Sequence, residues 1–196
     1  MIRKNLTCAF GFMLGFYLIY TNPAPVEAAG KIPAHVDKLH RSKSECADYD
    51  KQEHLRNAQL TAKLSATHTL YLLPCFTGAY NFVYRVYVDD TRYPVELQPS
   101  LFANYSDLNG WMGTDTLINA DFNPKTKILS AFEKGRGLGD CGSIPSYQWS
   151  EYGWRMIEYR HWDKCDGTRM PKDWPVSSGL SRLEDKTAKK VRVILT

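Results

Sequence analysis

The sequence predicts a mainly β domain: an antiparallel sheet, sandwich or small barrel of about seven strands with little helix, stapled by two disulfides. Three observations carry this. Short apolar runs alternate with period two along most of the chain, for example Phe82, Tyr84, Val86 and Val88. Turn-forming words such as Asn123-Pro124-Lys125-Thr126 and Glu151-Tyr152-Gly153 separate these runs at short intervals. Beyond the first 28 residues the chain holds an even set of four cysteines, Cys46, Cys75, Cys141 and Cys165.

The N-terminus reads as an export signal. Arg3 and Lys4 form a positive start, Leu6 to Tyr20 is an uncharged apolar run, and Pro23 and Pro25 break any helix. Val26-Glu27-Ala28 is a small-residue cleavage site, so residues 1–28 are expected to be removed, Cys8 with them. The run is shorter than the roughly 20 residues a membrane span needs, and no second run of spanning length follows. The expected product is soluble and carries no transmembrane span. Its 168 residues suit one domain with a real core.

An exported chain with four cysteines implies two disulfides. Of the three possible connectivities, Cys46–Cys75 and Cys141–Cys165 are favoured. Each closes a loop of about 25–30 residues, contributing on the order of 3–4 kcal/mol in the chain-entropy account. The second pair looks like a staple across adjacent strands. No Cys-x-x-Cys and no close Cys/His spacing supports a metal site, and no motif implies a cofactor. Losing Arg3, Lys4 and Glu27 lowers the net charge from +4 to +3. That is too small a charge to argue for nucleic acid. Lys186, Lys189, Lys190 and Arg192 read as a solvated strand edge.

Residues 29–44 are polar and lack an apolar period, which suggests a loose leader, with room for partial order against the body, before a single β-rich domain over residues 45–196. Within Asp48 to Ala66, Leu55, Leu60 and Leu64 fit one face of a helix, while Leu60, Ala62 and Leu64 alternate as in a strand; the strand is favoured from about Gln59. Strands are then expected over Leu70–Pro74 and Tyr80–Asp89. Arg92–Gln98 should return from a turn at Asp89-Asp90, with Pro94 marking an edge. Asn104 to Gly113 is polar and reads as a loop. Thr116–Phe122 and Lys127–Glu133 flank one hairpin turn, and Ser146–Ser150 and Trp154–Trp162 flank another. Lys189–Leu195 closes the series.

A set of words runs through these segments: Leu73-Pro74-Cys75-Phe76-Thr77-Gly78-Ala79-Tyr80-Asn81, Ala120-Asp121-Phe122-Asn123-Pro124, the long Leu129 to Gly142 stretch with Gly135-Arg136-Gly137-Leu138-Gly139-Asp140-Cys141-Gly142, then Tyr147-Gln148-Trp149, Cys165-Asp166-Gly167 and Trp174-Pro175. Over roughly residues 70–175 the chain resembles the bacterial family of domain of unknown function 1176. The resemblance implies a periplasmic protein of a Gram-negative cell and carries no activity with it. Two features depart from the family: members usually have a further N-terminal portion, and Phe76 stands where a glycine is expected.

Chemistry-bearing motifs are few. The glycine-rich loop is the leading binding candidate, with Lys134, Arg136, Gly137, Gly139 and Asp140 as its residues. Glycines allow close backbone approach, and consecutive amides can cradle an anion. The competing reading is a tight, disulfide-pinned connection. The loop has neither dinucleotide nor P-loop spacing. Asp140, Glu133, Asp121 and Asp115 are the carboxylates that a hydrolase would need to pair across a cleft. No serine-nucleophile or zinc-protease motif occurs, and the five histidines (35, 40, 54, 68 and 161) have no free thiol to act with. Trp149, Tyr152, Trp154, Tyr159, Trp162 and Trp174 offer stacking faces, but most should pack into the fold. Asn104-Tyr105-Ser106 matches a glycosylation sequon by chance. The function expected is that of a non-enzymatic, inhibitor-like envelope protein that binds an envelope protein or a cell-wall ligand. The alternatives are a carboxylate-dependent envelope hydrolase and a purely structural component.

Overall fold

The computed structural model describes residues 31–93 and 97–179. Two antiparallel sheets face each other, and neither closes into a barrel. The first holds β1 (Leu60–Lys63), β2 (His68–Thr77), β3 (Phe82–Asp90) and β6 (Thr116–Ile118), in that order. The second runs β12 (Val176–Gly179), β11 (Gly153–Trp162), β10 (Gly142–Ser150), β8 (Ile128–Ser130), β7 (Asp121–Asn123), with β9 (Glu133–Lys134) also on β10. A separate hairpin, β4 (Phe102–Ser106) with β5 (Gly110–Thr114), lies over the second sheet. The mainly β, antiparallel expectation is borne out, and the two expected disulfides, Cys46–Cys75 and Cys141–Cys165, are formed.

The core follows from the alternation of side chains across a strand. Leu70 and Leu72 of β2 and Tyr84 and Val86 of β3 point to one face. There they meet Phe122, Leu129, Ala131 and Tyr147 of the second half, with Phe102 and Leu117. The alternate residues Tyr71, Leu73 and Tyr87 point to the opposite face and are also buried. What covers them is α1 (Ala34–Arg41), through Val36, with Ile32, Leu39 and Leu97 alongside. The stretch read as a loose leader therefore contains a packed helix. Its apolar residues are too few for a clear period, but Val36 and His40 lie on one face four positions apart.

Behind α1 comes a short 3₁₀ turn (Ser44–Cys46), whose Cys46 is bridged to Cys75 of β2, and then α2 (Glu53–Asn57). Arg85 of β3, almost fully buried, binds Glu45 of that turn and Asp115 between β5 and β6. Arg41 of α1 binds Asp37 and Asp50, and the Tyr49 hydroxyl donates to Asp37. Charged groups thus tie the helical layer to the sheet around its apolar centre.

Several strand expectations need correction. The partners of β3 are β2 and β6, not Arg92–Gln98, which forms no strand among its described residues; just after it, Pro99 makes an isolated bridge to Tyr87 of β3. β2 continues past Pro74 to Thr77, with its register shifted between Pro74 and Phe76. A proline is tolerated there because β1 pairs only as far as Leu72, so no ladder donor is needed on that edge. Thr116–Phe122 is two strands. Asn119, in the left-handed region at φ 47°, turns the chain from the first sheet into the second between β6 and β7. Its side chain secures the crossing. Oδ1 accepts the Phe82 amide at 2.9 Å, while Nδ2 donates to Asn81 Oδ1 at 2.7 Å and to the Phe132 carbonyl at 2.9 Å.

Asn104 to Gly113 is not a loop but most of the β4–β5 hairpin. Only Phe102 of these strands is buried, so no apolar alternation betrays them. They are held by polar contacts: the Tyr159 hydroxyl donates to Asn104 Oδ1 and accepts the Tyr105 amide, and the Tyr147 hydroxyl donates to the Ala103 carbonyl. The strand expected from about Gln59 is present as β1. Lys189–Leu195 and the basic cluster at 186–192 lie outside the described residues.

His40 supplies a pH dependence. It is fully buried; Nε2 donates to the Pro74 carbonyl at 3.0 Å and Nδ1 is hydrogen-bonded to the Tyr87 hydroxyl at 3.1 Å. Burial pushes its pKa down from 6.5 to about 4. The unfolded chain takes up this proton first, so stability is complete above pH 6.5 and falls as pH drops toward 4. From His40 alone, urea unfolding should show a loss of about 2 kcal/mol between pH 7.5 and pH 5. An NMR titration placing the His40 ring near its ordinary pKa would contradict this.

Candidate functional site

Residues 134–142 close a tight loop between β9 and β10. Gly142 pairs with Lys134 across the strands, and the Gly135 amide donates to the Cys141 carbonyl at 2.9 Å. Inside the loop the Gly139 amide donates to the Arg136 carbonyl, with Gly139 at φ +69°. Gly142, at φ +132°, can be nothing but glycine: a Cβ there would sit 1.9 Å from the Glu133 carbonyl oxygen.

The centre of the loop is Asp140, whose side chain is wholly buried. One carboxylate oxygen accepts Arg136 Nε at 2.7 Å. The other accepts Arg136 Nη2 at 2.5 Å and the Gly167 amide at 2.7 Å. The two-pronged Arg136 contact holds the Asp140 carboxyl down at about 2. Burial opposes this, and the Gly167 amide adds to it. Gly167 belongs to the segment after β11, which is also bound to the loop through Cys141–Cys165. From the other side, the Tyr80 hydroxyl donates to the Gly135 carbonyl and Asn81 Nδ2 donates to the Lys134 carbonyl.

The five residues singled out in the sequence therefore gather in one rigid loop, in different roles. Arg136 and Asp140 satisfy each other. The Lys134 ammonium lies 5.4 Å from the Phe132 ring centre. A side chain at Gly137 would meet the Tyr80 ring at 3.5 Å. The amides of Gly135 and Gly139 already donate within the loop, so they do not form an anion cradle. At its tip the loop presents Leu138, 65% exposed, together with Gly135, Gly137 and part of the Arg136 side chain, with Tyr80 beside them. Nothing in the sequence pattern singled Leu138 out; one exposed leucine in a glycine run has no periodic signal.

The four candidate acids lie in separate settings. Asp140 closes its own loop, Asp115 is bound to Arg85, and Asp121 is exposed on β7. Glu133 accepts a hydrogen bond from Ser143 at 3.3 Å and lines a cleft of about 170 Å³ between the sheets. Ser65, His68 and Asp90 form a hydrogen-bonded chain, with 2.9 Å from Ser65 Oγ to His68 Nδ1 and 3.2 Å from His68 Nε2 to Asp90 Oδ2. Ser65 Oγ also accepts the amides of Thr67 and His68. This chain therefore closes the β1–β2 turn. Of the late aromatics, Tyr159 and Trp174 are buried and Tyr152 is fully exposed.

Residues 17–178 match the family described as protein of unknown function (DUF1176). The chain belongs to this family. The match extends the resemblance read over residues 70–175 to the β1–β2 region and the helical layer. An uncharacterized protein of Escherichia coli strain K12, YpfG, is 29% identical over 124 residues, which cover 61% of this chain and 34% of the relative. The chain thus accounts for about a third of that relative's length. No solved structure matches.

The loop geometry makes Gly142→Ala costly. Strain at that φ and the clash with Glu133 should lower stability on the order of 3 kcal/mol. Gly113→Ala, with open space around it, should stay within about 0.5 kcal/mol of the parent. Urea unfolding of both variants under oxidising conditions checks this.

Proposed function

We infer that this chain is an exported domain of the bacterial envelope that binds a partner protein by presenting residues 134–141, in the manner of a rigid inhibitor loop. The observation that carries this reading is the buried Asp140 carboxylate. It joins Arg136 to the Gly167 amide beneath a tip whose leucine faces solvent. Ordering a flexible loop on binding costs affinity, and a loop already fixed by an ion pair and a disulfide avoids that cost. A single apolar side chain on such a support suits a pocket on a partner, and a few anchors of this kind dominate most interfaces. Tyr80 and Phe76, each partly exposed, extend the apolar surface available to a partner near Cys75. Removal of residues 1–28 and residence in the periplasm belong to the same reading. They are supported by the signal-like N-terminus, by two disulfides of the kind formed in oxidising compartments, and by the resemblance to a periplasmic family.

The test is capture of envelope proteins by the oxidised domain beside Leu138→Asp and the double variant Lys134→Ala/Arg136→Ala. Leu138→Asp should weaken the captured interaction by about 30-fold or more, as loss of an anchor worth roughly 2 kcal/mol does, with unfolding unchanged. Equal capture by parent and Leu138→Asp would overturn the assignment to this loop. N-terminal sequencing of the protein recovered from the cell envelope should begin at or within a residue or two of Ala29. Retention of Arg3 and Lys4 in that product would overturn the export reading.

A further inference from the structure

The β4–β5 hairpin carries a second site that is independent of the glycine loop. Its Tyr105, Asp107 and Trp111 face His161, Trp162 and Asp163 at the end of β11, and the start of β12 completes a cleft of about 400 Å³. The rings stand as walls rather than as a platform. Tyr105 and Trp111 are 5.3 Å apart at 60°, and Tyr105 and His161 are 5.4 Å apart at 71°. Trp111 is braced from behind by Tyr159, 4.8 Å away at 71°, yet remains 45% exposed.

Two carboxylates, Asp107 and Asp163, share this lining, and neither lysine nor arginine is part of it. Asp107 Oδ1 lies 4.0 Å from His161 Nδ1. Trp162 already receives cations from its own chain: Arg169 Cζ lies 4.2 Å and Lys164 Nζ 5.6 Å from its ring centre. A sugar stacks best on one flat, open ring face. Steeply inclined rings around a common volume with carboxylates at the rim instead suit a compact organic cation, drawn to ring faces and partly stripped of water. We propose that this cleft binds an alkylammonium group, either a free amine or the lysine side chain of a peptide.

The position of the cleft explains its rigidity. Trp162 and Asp163 lead directly into the segment held by Cys141–Cys165 and by the Asp140–Gly167 hydrogen bond. The facing hairpin is fixed to β11 by the two Tyr159 hydrogen bonds. Both walls are therefore set before a ligand arrives, so little ordering is required on binding.

The experiment uses the oxidised mature domain and follows the indole N–H signals of Trp111 and Trp162 by NMR. Tetramethylammonium chloride should shift both saturably. Neopentyl alcohol, which keeps the branched shape but carries a hydroxyl and no charge, and N-acetylglucosamine should not. Trp111→Leu and Asp107→Asn should each weaken tetramethylammonium binding at least five-fold. Asp107 is more than half exposed, so its variant tests the site without threatening the fold. Nα-acetyl-lysine methylamide binding tighter than tetramethylammonium assigns the site to lysine side chains, and the reverse order assigns it to free quaternary amines. Leu138→Asp should leave all these affinities unchanged. An equal response to neopentyl alcohol, a response to the sugar alone, or no saturable shift would each overturn the proposal.

Discussion

The β2–β3 ladder is the constraint around which this molecule is built. Both faces of that ladder are apolar: Leu70, Leu72, Tyr84 and Val86 on one, Tyr71, Leu73 and Tyr87 on the other. A two-sided apolar sheet cannot meet water on either side without losing the burial that drives folding. The second sheet therefore covers one face and the N-terminal helix covers the other. The Cys46–Cys75 bridge and the Arg85–Glu45 ion pair tie the helical layer to the sheet.

The glycine loop is a local solution of a different kind. It has almost no apolar interior, so it is held by charge and hydrogen bonds beneath a covalent tie. A buried carboxylate is stable there because three donors reach it, two from a guanidinium and one from a backbone amide. Removing one partner would leave a charged group without compensation. The loop's glycines are needed because the backbone passes too close to Glu133 and Cys141 to admit side chains at Gly142 and Gly135.

How much of this was legible in the sequence depends on how each element is stabilised. β3, β10 and β11 carry apolar alternation or strong turn words, and their existence could be read directly. So could both disulfides, from their count and spacing. The β4–β5 hairpin was missed because tyrosine hydroxyls from β10 and β11, distant in sequence, hold it in place. α1 was missed for a similar reason: Val36 contacts a sheet face formed more than thirty residues later. In the loop, the residue types were legible but their roles were not. Sequence shows Arg136 and Asp140 four apart, and only the fold shows them bonded to each other. The break at Asn119 was invisible because Thr116 to Phe122 keeps its alternation across the crossing.

That crossing has a consequence for how the chain is assembled. Among the described residues, every strand of the first sheet lies before Asn119, and every strand of the second lies after it. Each disulfide likewise joins cysteines on the same side of Asn119 and next to each other in order. A chain emerging N-terminus first can complete the strand pairing of its first sheet and the bridge of its leading half before its trailing half appears. In that interval the inner face of the leading sheet has no partner, so the vulnerable species during assembly is a half-assembled chain with an open hydrophobic sheet. Its lifetime is set by how fast the trailing half arrives, because oxidation of Cys46 and Cys75 needs nothing from it.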